Sequence, residues 1–228
     1  MKEGKLLRCV LICTSALAVT PSIRAAVMMP QAGDRSMELA TGWYAAANVR
    51  ANLIEDAHLR QIGGAGGGHV TFDPGAGFGI RGGYRFCQYF SLEGETGFTG
   101  NSIDRMANVN NVEADLLQVP FMANAVFSFP IQYALAPFFG AGIGGTTSVL
   151  DVDHINIGNA FVTGTESTTT FSYQFFAGVH YAINDQISVG LIYNYRAVDG
   201  PRWDRGGFPI EFGDLRNHSI GLSANFRF

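Results

Sequence analysis

His218 and Ser219 are adjacent, and they are the first residues whose types could do chemistry. A histidine that takes the proton of a serine hydroxyl is the arrangement used in nucleophilic ester hydrolysis. The pair lies at the start of an alternating apolar–polar segment, and neighbouring residues of a β-strand point to opposite faces. No carboxylate pair beside a nucleophile suggests another reaction. The sequence therefore predicts no catalytic residue and no enzyme.

Two further motifs could bind ligands. Residues 77–82 and 140–145 both match the Gly-x-Gly-x-x-Gly pattern of dinucleotide sites, which requires a following helix. Both matches lie inside strand-like patterns, so we interpret these glycines as space for larger side chains on a barrel wall. Asp151-Val-Asp-His154 could chelate a divalent cation, but a short acidic stretch in a polar loop is usually solvated. We expect neither a cofactor nor a bound metal.

The charged residues of the predicted strands share one face with other polar side chains. If Cys87–Tyr89 is a three-residue turn, Arg81 lies opposite Glu95 in the resulting hairpin. Charges enclosed in a small barrel must pair or meet trapped water. We therefore predict an interior polar and ion-pair network that plugs the barrel, with a gated, narrow ion pathway as the alternative. Its members are Arg50, Arg81, Arg85, Glu93, Glu95, Gln174, His180, Arg196 and Arg227.

A two-residue period of apolar and polar residues predicts the β-strands that position these residues. Apolar and polar residues alternate in eight segments of about ten residues, the pattern of transmembrane β-strands. The connections between segments are alternately long and short, and each segment has one almost wholly apolar face. The sequence predicts an all-β fold, an eight-stranded antiparallel up-and-down transmembrane β-barrel. The segments are 42–53, 75–86, 90–98, 117–128, 139–144, 171–181, 187–196 and 219–228.

Composition and the first residues agree with export to a membrane. Of the 228 residues, 47% are hydrophobic and 15% are charged, against about 25% charged in a typical soluble domain. We predict a signal peptide at 1–25, a periplasmic lead-in at 26–40 and the barrel at 41–228. Without the signal the chain holds 11 cations, all arginine, and 18 anions, a net charge of −7. This charge disfavours a nucleic-acid partner. Cys87 is the single cysteine left, so we expect no disulfide within the mature chain.

From these features the chain resembles the small bacterial outer-membrane β-barrel family, which includes OmpA-type transmembrane domains, OmpX-type proteins and opacity-like surface antigens. The likeness covers residues 40–228 and rests on the glycine-rich strand 75–86, on 137–145, on 173–179 and on the ending Asn225-Phe-Arg-Phe228. It implies that the last strand is the signal read by the barrel-assembly machinery, through Ile220, Leu222, Phe226 and Phe228. It also implies that no further domain follows.

The resemblance implies a non-enzymatic, structural and surface-exposed antigen of a Gram-negative outer membrane. A small channel of low, gated conductance is the alternative, and a lipid-acting barrel enzyme is the third. We expect both termini in the periplasm and four long loops outside the cell. The expected partners are outer-membrane lipid and lipopolysaccharide, the assembly machinery, and a host or extracellular ligand. Loop four, 197–214, concentrates the candidates for recognition or for a lid over the barrel, namely Arg202, Trp203, Arg205, Phe208 and Phe212.

Overall fold

The fold was examined in a computed structural model, which describes residues 41–62, 65–66, 68–106, 110–129, 131, 134–157, 160–205 and 208–228. Within them, residues 62, 65–66, 105–106, 110–113, 153–157, 160–164, 205 and 208 are described by their backbone alone. The predicted signal peptide and lead-in therefore lie outside the described part. None of the described residues forms a helix long and apolar enough to cross a membrane.

The described chain contains eight long strands and five short ones. The long strands are β1 (Gly42–Ile54), β5 (Gly75–Cys87), β6 (Phe90–Met106), β7 (Asn110–Ser128), β8 (Leu135–Ile157), β9 (Ala160–Ala182), β10 (Ile187–Val198) and β13 (Leu215–Arg227). The short strands are β2 (Ala57–Ile62), β3 (Ala65–Gly66), β4 (His69–Phe72), β11 (Arg202–Arg205) and β12 (Phe208–Phe212).

The eight long strands close into an antiparallel barrel. Each long strand pairs with its neighbour in the chain, and the first pairs with the last. The closure aligns Ala45 with Phe226, so the ends of the barrel sequence meet in one seam. In the β5–β6 hairpin Arg81 faces Glu95, the register that the short turn predicts. The predicted fold class is confirmed.

The barrel has two different ends. At the turn end lie the short connections after β5, β7 and β9, together with the start of β1 and the end of β13. At the loop end lie the connections after β1, β6, β8 and β10. We predicted long loops after β6 and β8, and this is wrong, because the strands run on and leave 107–109 and 158–159 between them. For β8 and β9 the physical reason is β-propensity, since Thr or Val occupies nine of the fourteen positions in 146–150 and 162–170.

The connections after β1 and β10 cover the loop end. β12 pairs with β2, β2 pairs with β4, and β4 pairs with barrel strand β6. Beneath this cover lies a cluster that we name the apolar plug, because it fills the loop end of the barrel. The apolar plug consists of Ile54, Ala57, Leu59, Val70, Ile103, Ala114, Leu116, Leu150, Val152, Val198, Trp203, Ile210, Phe212 and Leu215.

The outer face of the barrel is apolar. Large hydrophobic side chains are exposed on every long strand, among them Val49, Ile143 and Leu222. At the turn end a ladder of aromatic rings crosses five strands, with centroids 5.0 to 5.9 Å apart. Its members are Trp43, Tyr84, Phe86, Phe90, Phe127 and Phe139. Such aromatic girdles sit at a membrane–water interface. The apolar face therefore meets lipid and the polar face is enclosed.

Cys87 ends β5 at the turn end. It is disulfide-bonded in the full-length chain. Our expectation of no internal disulfide refers to the chain after removal of residues 1–25. The full-length chain retains the two cysteines of that segment.

Candidate functional site: the barrel interior

Glycines on the inner wall make the interior possible. A Cβ at Gly79 would collide with the Arg50 guanidinium, and a Cβ at Gly142 would collide with the side-chain oxygen of Asn124. Gly82, by contrast, points outward, and a Cβ there would meet nothing within 4 Å. The Gly-x-Gly-x-x-Gly matches thus lie within strands β5 and β8, where their inward glycines leave room for polar side chains. In the part of the chain that the structure describes, each match is followed by further strand and not by a helix.

Glu95 is the centre of what we name the polar hub, formed by Arg50, Glu95, Asn124, Gln174, Asn194 and Arg196. Its Oε1 lies 3.1 Å from Arg50 Nη2 and 3.5 Å from Arg196 Nη2. Its Oε2 accepts hydrogen bonds from Asn124 Nδ2 at 3.1 Å and from Gln174 Nε2 at 2.8 Å. Four donors from four other strands therefore surround one buried carboxylate, which makes its burial tolerable.

Gln174 extends the hub across the barrel. Its Oε1 accepts hydrogen bonds from Asn194 Nδ2 at 3.1 Å and from Arg196 Nη2 at 3.0 Å. Its Nε2 donates to Asn124 Oδ1 at 2.8 Å as well as to Glu95. An amide can do both because it carries an acceptor and two donors. The hub is consequently a continuous cross-link between β1, β6, β7, β9 and β10.

Glu93 and Arg81 form a second buried pair closer to the turn end. Arg81 Nη1 lies 3.4 Å from Glu93 Oε2, and Tyr44 Oη donates to Glu93 Oε1 at 2.6 Å. Arg81 stands opposite Glu95 in the sheet, yet its ion pair is with Glu93. The reason is that both oxygens of Glu95 are already occupied by the hub. The register of the hairpin alone did not reveal that Arg81 forms its ion pair with Glu93 and not with Glu95.

Amide and hydroxyl side chains separate the hub from the apolar plug. Asn52 Nδ2 donates to Asn101 Oδ1 at 2.8 Å, and Ser219 Oγ donates to Asn52 Oδ1 at 2.9 Å. One step further towards the loop end, Ile54 and Leu215 already belong to the plug. The described interior therefore changes from charged to neutral polar to apolar along the barrel axis.

The loop-four residues divide between cover and surface. Trp203 is 3% exposed and Phe212 is 1% exposed, and their rings pack edge to face at 5.2 Å. Trp203 Nε1 also donates to the Ser148 carbonyl at 3.3 Å. Trp203 and Phe212 are therefore not exposed recognition residues, because their apolar rings fill the barrel mouth. Arg202 remains on the surface, paired with Glu211 at 3.0 Å. The side chains of Arg205 and Phe208 lie outside the described part.

His218 and Ser219 point to opposite faces, as predicted. Ser219 is buried against Asn52, whereas His218 faces outward at the loop end. His218 Nδ1 contacts Tyr193 Oη at 2.7 Å, and its Nε2 contacts Glu55 Oε1 at 2.8 Å. The hydrogen bond with His218 holds the pKa of the Glu55 carboxyl below its usual value. Both imidazole nitrogens are therefore occupied, and the group ties β13 to β10 and to the connection after β1.

The remaining sequence candidates are placed as follows. Ile220, Leu222 and Phe226 all lie on the outer face of β13, and Phe228 follows it, 80% exposed. Their role in assembly stays a prediction. His180 lies on the inner face near the turn end, with its ring stacked on Phe138. The side chain of His154 lies outside the described part, and the described residues contain no cluster of three metal-ligating side chains.

Comparison with known proteins agrees with this geometry. Residues 15–228 match the family model described as the outer membrane protein beta-barrel domain. The structure is similar to Neisserial surface protein A (TM-score 0.53, 15% identity, 82% of this chain and 97% of that one). It is also similar to the outer membrane protein OprG from Pseudomonas aeruginosa (TM-score 0.51, 14% identity, with the same coverage of both chains). No curated protein matches the chain's sequence. On this evidence the chain belongs to the outer membrane protein β-barrel domain family and is an outer-membrane protein.

Proposed function

We propose that the protein is a non-enzymatic, structural barrel of the outer membrane that presents its loop end at the cell surface and does not conduct ions. The observation that carries this proposal is the filled interior. The polar hub, the layer around Asn52 and the apolar plug succeed one another along the axis. An eight-stranded barrel has an interior just wide enough to be filled by side chains.

The proposed orientation puts the turn end and both chain termini in the periplasm. Outer-membrane barrels have short periplasmic turns and longer connections outside the cell. The connections after β5 and β9 span 88–89 and 183–186, whereas those after β1 and β10 hold the cover strands. In this orientation lipopolysaccharide surrounds the loop end, and Glu55, Arg216 and His218 face its headgroups. The C-terminal strand meets the assembly machinery from the periplasm.

The parts that reach furthest from the lipid are the β6–β7 and β8–β9 hairpins. Strands β8 and β9 have 23 residues each, whereas a strand crosses the hydrocarbon with about 9–11 residues. About half of each strand therefore projects beyond the membrane. Because Trp203 and Phe212 are buried, contacts with a host or extracellular ligand are assigned to these hairpins instead of to loop four.

Conductance in planar bilayers tests the closed interior. We expect the purified barrel to show no steady openings, because charged side chains in the hub are paired across the lumen. A gated channel of low conductance is the competing function, and it has a different signature. Steady openings of the unaltered protein that disappear in a Glu95→Gln variant would overturn the closed-barrel proposal.

Shortening one hairpin tests the surface role. In the test variant, residues 153–163 are replaced by an Asn-Gly turn, which favours a tight hairpin. We expect binding to host cells or matrix to be lost while the barrel still folds, as judged by heat-dependent gel migration. The control variant Arg202→Gln alters an exposed pair on the cover and should bind normally. Undiminished binding by the shortened variant, or no binding by the unaltered protein, would contradict the assignment.

A further inference from the structure

The interior of the barrel carries more positive than negative charge. Four arginines and two glutamates of the described interior are buried, namely Arg50, Arg81, Arg85, Arg196, Glu93 and Glu95. Glu95 forms ion pairs with Arg50 and Arg196, and Glu93 forms an ion pair with Arg81. Arg85 is left without an ion pair to any described residue. An unpaired charge away from water is strongly unfavourable, so Arg85 requires another source of negative charge.

A small cavity lies beside Arg85 at the turn end. Its volume is about 20 Å³. A cavity of about 10–15 Å³ is already large enough to hold one water-sized species. Besides Tyr44, whose hydroxyl donates to Glu93, six of the lining residues can donate a hydrogen bond or carry positive charge: Arg85, Ser128, His180, Ser188, Asn225 and Arg227. These residues come from β5, β7, β9, β10 and β13, so barrel closure alone brings them together.

Two acidic groups lie near the cavity, and neither forms an ion pair with Arg85 in the described structure, although Glu93 attracts it electrostatically. Glu93 lines the cavity, but its two oxygens accept from Tyr44 Oη and from Arg81 Nη1. Asp185, in the exposed turn after β9, attracts Arg227 electrostatically without forming an ion pair with it in the described structure. The Arg85 guanidinium lies over the Tyr44 ring, 5.2 Å from its centroid, and is 8% exposed.

The His180 side chain supplies an independent sign of a binding site. Its Nε2 is buried and has no hydrogen-bond partner among the described residues. Its ring is held by stacking on Phe138, with centroids 4.1 Å apart. A buried polar nitrogen without a partner costs free energy. The unpartnered nitrogen and the unpaired guanidinium both belong to residues that line the same small space.

We propose that this turn-end cavity binds a single monatomic anion of the chloride class. The volume admits one water-sized species and excludes a phosphate or sulfate. Arg85 and Arg227 need a negatively charged partner, and an anion supplies this charge whereas a water molecule does not. The hydroxyls of Ser128 and Ser188 can donate hydrogen bonds to the anion. The site is reached from the turn end, because the polar hub blocks the way from the loop end. It is independent of the surface role proposed above.

Thermal unfolding at constant ionic strength tests the site. Sodium gluconate is replaced stepwise by sodium chloride around the purified protein in lipid nanodiscs. Because a ligand at concentration L that binds the folded state stabilises it by RT ln(1 + L/Kd), we expect the Tm to rise with the logarithm of the chloride concentration once that concentration exceeds Kd. In the double variant Arg85→Gln/Arg227→Gln the apparent chloride affinity should fall at least tenfold.

A matched double variant separates the site from general salt effects. Arg202→Gln/Arg216→Gln removes the same number of charges from exposed positions, and it should keep the chloride response of the unaltered protein. An equal response in all three proteins, or an equal loss in both double variants, would overturn the proposal.

Diffraction from bromide-soaked crystals of the unaltered protein tests whether the cavity binds an anion, even if the Arg85→Gln/Arg227→Gln variant does not fold. We expect an anomalous peak between Arg85 and Arg227. A cavity without bromide would contradict the site.

Discussion

The Glu95→Gln variant is expected to lose about 3–5 kcal/mol of unfolding free energy, the usual cost of leaving a buried charge without its partner. The glutamine has the size of glutamate, so packing around it is preserved. Arg50 and Arg196 then lie buried with no carboxylate between them, since Glu95 is the partner of both. Chemical denaturation in lipid vesicles, followed by tryptophan fluorescence, measures the change.

The matched control is Glu211→Gln on the cover. Glu211 also pairs with an arginine, at 3.0 Å, but the Arg202 side chain is 64% exposed. Exposed pairs contribute about 0–1 kcal/mol, so this variant should unfold like the unaltered protein. Equal effects of the two substitutions would show that the hub is not the electrostatic centre of the barrel.

The Trp203→Ala variant is expected to open the cover while the barrel stays folded. Removing a buried tryptophan costs about 3–5 kcal/mol, and Trp203 also loses its ring contact with Phe212. Because 1.4 kcal/mol corresponds to a factor of ten, amides of β11, β12 and β2 should exchange about a hundredfold faster or more. Hydrogen exchange measured strand by strand reports this directly.

Arg202→Ala is the control for the cover, since Arg202 is the neighbour of Trp203 and points to solvent. Surface substitutions usually change stability by about 0.5 kcal/mol or less. We expect unchanged exchange in this variant, and in both variants unchanged exchange of β1 and β13. Uniform acceleration of all strands in Trp203→Ala would mean that cover and barrel unfold as one unit.

The sequence alone was sufficient for the eight strands of the barrel and for their inward faces. This information is local, because side chains two positions apart share one face of a strand. The alternation along β1 and β13 can be read without knowing what either strand pairs with. A short turn likewise determines the register of one hairpin, as the pairing of Arg81 with Glu95 illustrates.

The sequence could not determine which long connections continue the barrel strands and which fold over the loop end as the cover. Residues 146–170 were predicted to be a polar loop, but 146–157 and 160–170 continue β8 and β9, because pairing with each other satisfies their backbone groups. For Trp203 and Phe212 the sequence left two alternatives open, exposed recognition residues or a lid over the barrel. Both residues are buried because strands β6, β7 and β8 supply the other walls of the apolar plug.

The partners of the interior charges were also decided by tertiary structure. Sequence placed Arg50, Glu95 and Gln174 on inward faces, and this holds. The contact between Glu95 and Gln174, however, joins residues 79 positions apart, and that between Asn52 and Ser219 joins residues 167 apart. Such contacts form across the lumen and depend on how the closed barrel brings strands opposite each other. Periodicity along one strand carries no information about them, and the turn-end cavity around Arg85 exists for the same reason.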